Sequence, residues 1–117
     1  SADATVQNSM VSEGSRVFGN VDYSILFNNV TVEEGAEVKY SIVMPGTVIK
    51  KGAVVQYSIV AENAVIESGA VVGANPEDCA NRDEWGVAVV GAGVTIGEGQ
   101  SVAPKAMIDE DLVKEAE

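Results

Sequence analysis

The sequence predicts an all-β solenoid, a single-stranded parallel β-helix wound from one chain, and two independent patterns predict it. The first is a phrase that occurs four times: VQNSMV from Val6, VDYSIL from Val21, VKYSIV from Val38 and VQYSIV from Val55, spaced by 17 residues from the second copy onward. Self-similarity at a short fixed period marks repeat architectures, in which each unit buries its apolar face only by stacking on its neighbours. The second pattern is a Gly or Asn at the third position after an aliphatic residue of core type: Gly14, Asn29, Gly35, Gly46, Gly52, Asn63 and Gly69. These residue types enter the left-handed backbone region of a tight corner at least cost. Two unrelated constraints therefore agree on one register.

Each 17-residue unit divides into three apolar steps, Val38 to Val43, Val43 to Ile49 and Ile49 to Val55, of five, six and six residues, which predicts three faces per coil. Val, Ile and Thr at alternating positions suit a strand with one buried face, and no 3.6-residue stripe competes. A small residue stands two places ahead of a branched one in Ala36 with Val38, Thr47 with Ile49, Ala53 with Val55 and Ala70 with Val72. The small side chain fits near a corner and the branched one fills the centre of a narrow coil. This reading assigns residues 4–72 to coils. The rhythm then breaks into GANPEDCANRDEWG, residues 73–86, a polar, turn-rich stretch expected to loop off the solenoid. Coils are expected again over 87–108, where Val90, Ile96, Val102 and Ile108 keep a period of six with Gly93 and Gly99 at corners. In the last stretch, 109–117, Asp109 is a candidate N-cap before helix-forming residues, which predicts a short helix covering the end of the coil. Residues 1–117 then form one domain.

If Val38, Val43, Ile49 and Val55 point inward, their neighbours point outward, because side chains alternate along a strand. Met10, Ile25, Ile42 and Ile59 fall into one outward column, and Tyr23, Tyr40 and Tyr57 stack beside it at the adjoining corner. Val48 with Val65, and Val54 with Val71, begin two more. An apolar stripe several coils tall predicts that the isoleucine face is covered by another domain or another subunit. The competing reading is that solenoid strands simply favour branched residues on both faces.

Charge and composition exclude several functions. The 117 residues carry 7 basic and 18 acidic side chains, a net charge of -11, which repels phosphate backbones and anionic lipid. Neither nucleic acid nor membrane is an expected partner. No apolar run approaches the roughly 20 residues that span a bilayer, and the opening residues lack a signal-peptide pattern, so a cytoplasmic location is expected. Cys79 is the one cysteine, which rules out an internal disulfide. The chain contains no histidine, so it lacks both the usual general base of an acyl transfer and the imidazole ligands of a zinc site. No phosphate-binding G-x-x-x-x-G-K-[ST] loop is present, and the glycines of GAGVTIGEG from Gly91 fall on the hexapeptide corners. No catalytic, metal-ligating or cofactor-binding residue is therefore assigned. Trp85, in the polar loop, reads equally as a docking anchor or as a plug where the coil is interrupted.

The wording of the repeats is narrower than the period alone. The run from Val21 to Ile66, with SILFNNV from Ser24, SIVMPGTVI from Ser41 and the following ANPED from Ala74, resembles the C-terminal domain of bacterial glucose-1-phosphate adenylyltransferases, the ADP-glucose pyrophosphorylases. The resemblance covers most of the chain and implies the left-handed β-helix of hexapeptide-repeat proteins. It also implies a role in glycogen synthesis, in which ATP and glucose 1-phosphate give ADP-glucose and pyrophosphate with magnesium. In that family a separate N-terminal nucleotidyltransferase domain carries the chemistry. Its G-x-G-x-R-L-x-P-L-T signature has no counterpart here, so ATP and magnesium would belong to a domain outside this sequence, of which these residues are expected to be a fragment. The implied partners are that catalytic domain, sister subunits in a tetramer and a small phosphorylated effector. Some relatives place an effector-contacting lysine in the hexapeptide after the loop, where this chain reads Val90-Gly91-Ala92-Gly93. That departure leaves open a non-catalytic regulatory subunit. The same domain on another sugar-nucleotide pyrophosphorylase, or a stand-alone hexapeptide scaffold, is also compatible with these repeats.

Overall fold

The computed structural model of the chain describes residues 5–78 and 86–111. Its backbone is a parallel β-helix of hexapeptide-repeat type, wound in six coils from short strands. The first coil holds β1 (Thr5–Gln7), β2 (Met10–Val11) and β3 (Arg16–Val17); the second β4 (Asn20–Asp22), β5 (Ile25–Leu26) and β6 (Thr31–Val32). The third holds β7 (Glu37–Lys39), β8 (Ile42–Val43) and β9 (Val48–Ile49); the fourth β10 (Val54–Gln56), β11 (Ser58–Val60) and β12 (Val65–Ile66). The fifth is β13 (Val71–Val72), β14 (Ala88–Val90) and β15 (Thr95–Ile96), and β16 (Ser101–Val102) and β17 (Met107–Ile108) begin the sixth. Every third strand pairs in parallel, so that three sheets form: β1-β4-β7-β10-β13-β16, β2-β5-β8-β11-β14-β17 and β3-β6-β9-β12-β15.

Register follows the repeat. Val21, Val38, Val55 and Val72 are consecutive partners on the first sheet, Ile25, Ile42 and Ile59 on the second, and Val32, Ile49 and Ile66 on the third. Like therefore stacks on like, and one inward residue per strand fills the core. Leu26, Val32, Val38, Val43, Ile49, Val55, Val60, Ile66, Val72, Val90 and Ile96 are fully buried, and Ala36, Ala53, Ala64 and Ala70 are buried with them at the corners. Each buried branched side chain contributes about 1.5–3 kcal/mol, and the second to fifth coils supply three each.

The first coil is shorter. Val17 pairs with Val32 and Asn20 with Glu37, so one corner has lost two residues. Gly19 makes the short cut feasible: the carbonyls of Glu33 and Ala36 lie where its Cβ would be. Two further corners carry the left-handed residues. Gly14, Asn29, Gly46, Asn63 and Gly93 form one column with φ of 78°, 61°, 77°, 55° and 70°, and Gly35, Gly52, Gly69 and Gly99 form the other at 78°, 73°, 72° and 70°. In the first column the side chain of Asn29 lies over Gly14 and that of Asn63 over Gly46, in the space a Cβ would need. Glycine in one coil thus makes room for asparagine in the next.

The chain leaves the solenoid after β13. Gly73 is buried against the Gln56 carbonyl and the Ser58 hydroxyl, and a 3-10 turn follows at Pro76–Asp78, with the Glu77 amide donating to Asn75 Oδ1 at 2.9 Å. The coil resumes at β14. Cys79 and Trp85 lie outside the described residues. The expected terminal helix is not present at Asp109–Asp111, which is non-helical; residues 112–117 lie outside the described residues. Asp111 instead accepts a hydrogen bond from the Thr95 amide at 2.9 Å, satisfying a donor on the last strand of the third sheet. At the opposite end the inward-facing Val6 and Val11 remain 47% and 39% exposed.

Candidate interaction face

The second sheet carries the longest apolar surface. Met10, Ile25, Ile42 and Ile59 stand in consecutive register on its outer side, and the structure extends the column through Val89 and Met107. Met10 and Met107, at the two ends, are 69% and 76% exposed, and Ile42, Ile59 and Val89 between them are half-buried by their own neighbours. The next outward position in each coil holds Ser12, Phe27, Met44, Ala61, Gly91 and Asp109. Only the last of these is charged. The other two faces differ: Asp22, Glu37 and Lys39 stand on the first sheet, and Arg16, Glu33, Lys50 and Glu67 on the third. Ion pairs form there, Lys39 to Glu37 at 3.8 Å and Lys50 to Glu67 at 3.3 Å. A chain of net charge -11 has thus kept one whole face almost free of charge. The charge-poor, apolar centre of a protein interface has this composition.

Tyr23, Tyr40 and Tyr57 edge this face at the corner between the first and second sheets. Their rings stack with centroids 5.0 and 4.7 Å apart and interplanar angles of 7° and 10°. Their backbone is unusual, with φ of 47°, 49° and 48°. Aromatic residues seldom adopt the left-handed region, and the equivalent residue of the first coil is Asn8, at 51°. Each corner is tied to the one before it: the amides of Tyr23, Tyr40 and Tyr57 donate to the carbonyls of Gln7, Asp22 and Lys39 at 3.2, 3.1 and 3.0 Å. Desolvation by the stacked neighbours raises the Tyr40 phenol above the usual tyrosine range, and the adjacent Tyr57, Tyr23 and Asp22 charges add to the shift.

Behind the tyrosines runs a second ladder, which pattern reading missed. Ser24, Ser41 and Ser58 are buried, and each hydroxyl donates to the carbonyl two residues earlier, on Asp22, Lys39 and Gln56, at 2.9, 2.8 and 2.7 Å. The hydroxyls of Ser9, Ser24 and Ser41 accept from the following coil: the Ser24 amide donates to Ser9 Oγ, the Ser41 amide to Ser24 Oγ and the Ser58 amide to Ser41 Oγ, at 3.1, 3.1 and 3.2 Å. The signal was present in the sequence, because all four copies of the repeated phrase carry Ser at the same place. It supports the aromatic edge from beneath.

Among the described residues no three His, Cys, Asp or Glu side chains gather as metal ligands. A shallow polar depression on the first sheet is lined by Thr5, Gln7, Asn20, Asp22, Glu37 and Lys39, whose groups largely satisfy one another: Thr5 donates to Asn20 at 2.8 Å, Asn8 donates to Asp22 at 3.3 Å, and Lys39 pairs with Glu37.

Comparison with known proteins agrees with the architecture. The model of the GlmU-like, C-terminal hexapeptide family matches residues 1–96. A stretch of 32 residues is 59% identical to glucose-1-phosphate adenylyltransferase of Bacillus subtilis (strain 168), covering 27% of this chain and 8% of that protein. The match thus spans a small part of the relative's length. With its fold, its period and most of its length accounted for by one family, the chain belongs to the GlmU-like C-terminal hexapeptide domains.

Proposed function

We propose that this solenoid is the assembly and regulatory domain of a cytoplasmic glucose-1-phosphate adenylyltransferase, the enzyme that makes ADP-glucose and pyrophosphate from ATP and glucose 1-phosphate. The observation that carries the reading is the uncharged face of the second sheet, from Met10 to Met107, edged by the tyrosine ladder. Burial of such a face against the catalytic domain or a sister subunit removes apolar surface from water without stranding a charge. The short, strong identity to the Bacillus subtilis enzyme supports the choice of reaction. ATP, magnesium and the reacting phosphates act in a nucleotidyltransferase domain, whose signature these residues lack. A small phosphorylated effector acts at the junction of the two domains in this reading, while the solenoid's own part is to hold subunits in register.

Pyrophosphate release from ATP and glucose 1-phosphate tests the proposal, with the full gene product and the 117-residue chain compared side by side. Release by the full product alone is the expected result. Silence of the full product with glucose 1-phosphate, but turnover with another sugar phosphate, would overturn the choice of substrate. Silence with every sugar phosphate would overturn the catalytic parentage and favour a regulatory subunit or a scaffold.

A further inference from the structure

We propose that the tyrosine ladder is an oxidative cross-linking site, at which a one-electron oxidant joins Tyr40 to a stacked neighbour, Tyr23 or Tyr57, through a carbon–carbon bond between the ring positions ortho to their hydroxyls. The Tyr40 and Tyr57 rings lie 4.7 Å apart and 10° from parallel, and those of Tyr23 and Tyr40 lie 5.0 Å apart and 7° from parallel. Tyr23, Tyr40 and Tyr57 occupy the same corner of successive coils with φ of 47°, 49° and 48°, so each ring is nearly a translated copy of the next. Each ortho carbon therefore faces its counterpart at about the centroid spacing, and rotation of the rings brings the two together. Pairing on both sides prevents the corners from drifting apart: Asp22 is in register with Lys39, and Ile25 with Ile42. In the isolated chain access is open too, since Tyr23 and Tyr40 are 52% and 48% exposed.

Two further observations favour the ladder over chance contact. Tyrosine recurs in three successive corners where the backbone is left-handed and asparagine or glycine is cheaper, and strain of this kind, repeated, points to a use for the ring. The chain also has a single cysteine, so an internal disulfide is impossible and coupled tyrosines offer an alternative covalent staple. The chemistry balances simply. Each phenol gives one electron to the oxidant and one proton to water, the two phenoxyl radicals couple at carbon, and the ring hydrogens at the new bond return to the oxygens as the rings re-aromatise. The product is two hydrogens lighter, and two equivalents of oxidant are reduced. The staple closes a loop across one coil and restricts the unfolded chain, as any internal cross-link does.

Illumination of the chain with tris(bipyridine)ruthenium and persulfate, which supplies the one-electron oxidant, tests this. Rings held side by side meet at an effective concentration of about 1 mM or more, so at about 1 μM protein the product within one chain should exceed that between chains roughly a thousandfold. Dityrosine fluorescence is expected in the monomer band of a denaturing gel, with a cross-linked peptide pair joining Tyr40 to Tyr23 or to Tyr57. Tyr40→Phe keeps a stacked ring and the fold, as circular dichroism would show, but should abolish coupling within the chain. Tyr23→Phe should leave only the link between Tyr40 and Tyr57. Oxidation in urea should erase the preference for neighbouring coils. Dityrosine found only between chains, or none at all, or unchanged coupling within Tyr40→Phe, would overturn the proposal.

Discussion

At the scale of single residues, the corners decide what the sequence tolerates. Gly46 and Gly52 have almost the same φ, 77° and 73°, yet a Cβ at Gly46 would overlap the Asn63 side chain, and one at Gly52 would meet nothing within 4 Å. Gly52→Ala should therefore cost only the left-handed penalty of about 1 kcal/mol, while Gly46→Ala should cost about 2–3 kcal/mol because Asn63 must also move. Urea unfolding of the two variants checks the difference; equal midpoints would mean that Asn63 yields freely. Ser41→Ala separates volume from hydrogen bonding. It leaves the Ser58 amide without its partner in a buried site, while the Lys39 carbonyl keeps the Tyr57 amide, and should cost about 1–2 kcal/mol by the same measurement. The Gly and Asn corners were legible from the sequence because backbone chirality restricts which residues fit them. The repeat also placed the tyrosines in a stack at a corner, but not the left-handed backbone they adopt there, since nothing intrinsic to Tyr prefers that conformation. The pointer was Asn8, which holds the same position in the first copy of the phrase.

At the scale of elements, the second sheet has two faces that answer to different forces. Val43 points inward and is fully buried, while its neighbour Ile42 points outward and is half-buried. Ile42→Lys should change the stability of the isolated chain by about 0.5 kcal/mol, within the range of surface substitutions, but should weaken assembly of the full product as read by sedimentation. Val43→Lys should prevent folding, since its charge would enter a core with no partner for it. The tyrosine ladder adds a pH dependence to this edge. The Tyr40 phenol is raised in the folded chain, so the folded state holds a proton that the unfolded state releases from about pH 10 upward. The contribution is fully present below that pH and is lost as pH rises through the folded value. Thermal melts across the alkaline range should show a decline that is smaller in Tyr40→Phe. Outward columns were legible from alternation alone, because strand geometry fixes the period at two. The serine ladder escaped the same reading, since a buried hydroxyl carries no periodic apolar signal and its partners lie one coil away.

At the scale of the whole molecule, a solenoid is nearly one-dimensional, and each coil is stabilised only by the coils next to it. The middle coils hold fully buried residues at every inward position, whereas Val6 and Val11 in the first coil remain half-exposed. Among the described residues the first coil has neighbours on one side only, its three strands β1, β2 and β3 pairing with β4, β5 and β6. Stability should therefore fall toward that end. Amide hydrogen exchange of the isolated chain is expected to be fastest in β1 to β3 and slowest in β7 to β12, because opening the first coil exposes little additional apolar surface, while opening a central coil breaks pairing on two sides. The other end should hold longer than the first, since Val102 is buried and Asp111 satisfies the Thr95 amide. The period made this architecture readable, as stacking forces equivalent residues into register. The shortened first coil had only the changed spacing between the first two phrases to announce it, 15 residues in place of 17. If β1 to β3 instead exchanged as slowly as the centre, something would have to cover Val6 and Val11 in solution. Dilution would then identify it: protection that fell with concentration would mean another copy of the chain, and protection that did not would mean the chain's own residues beyond those described.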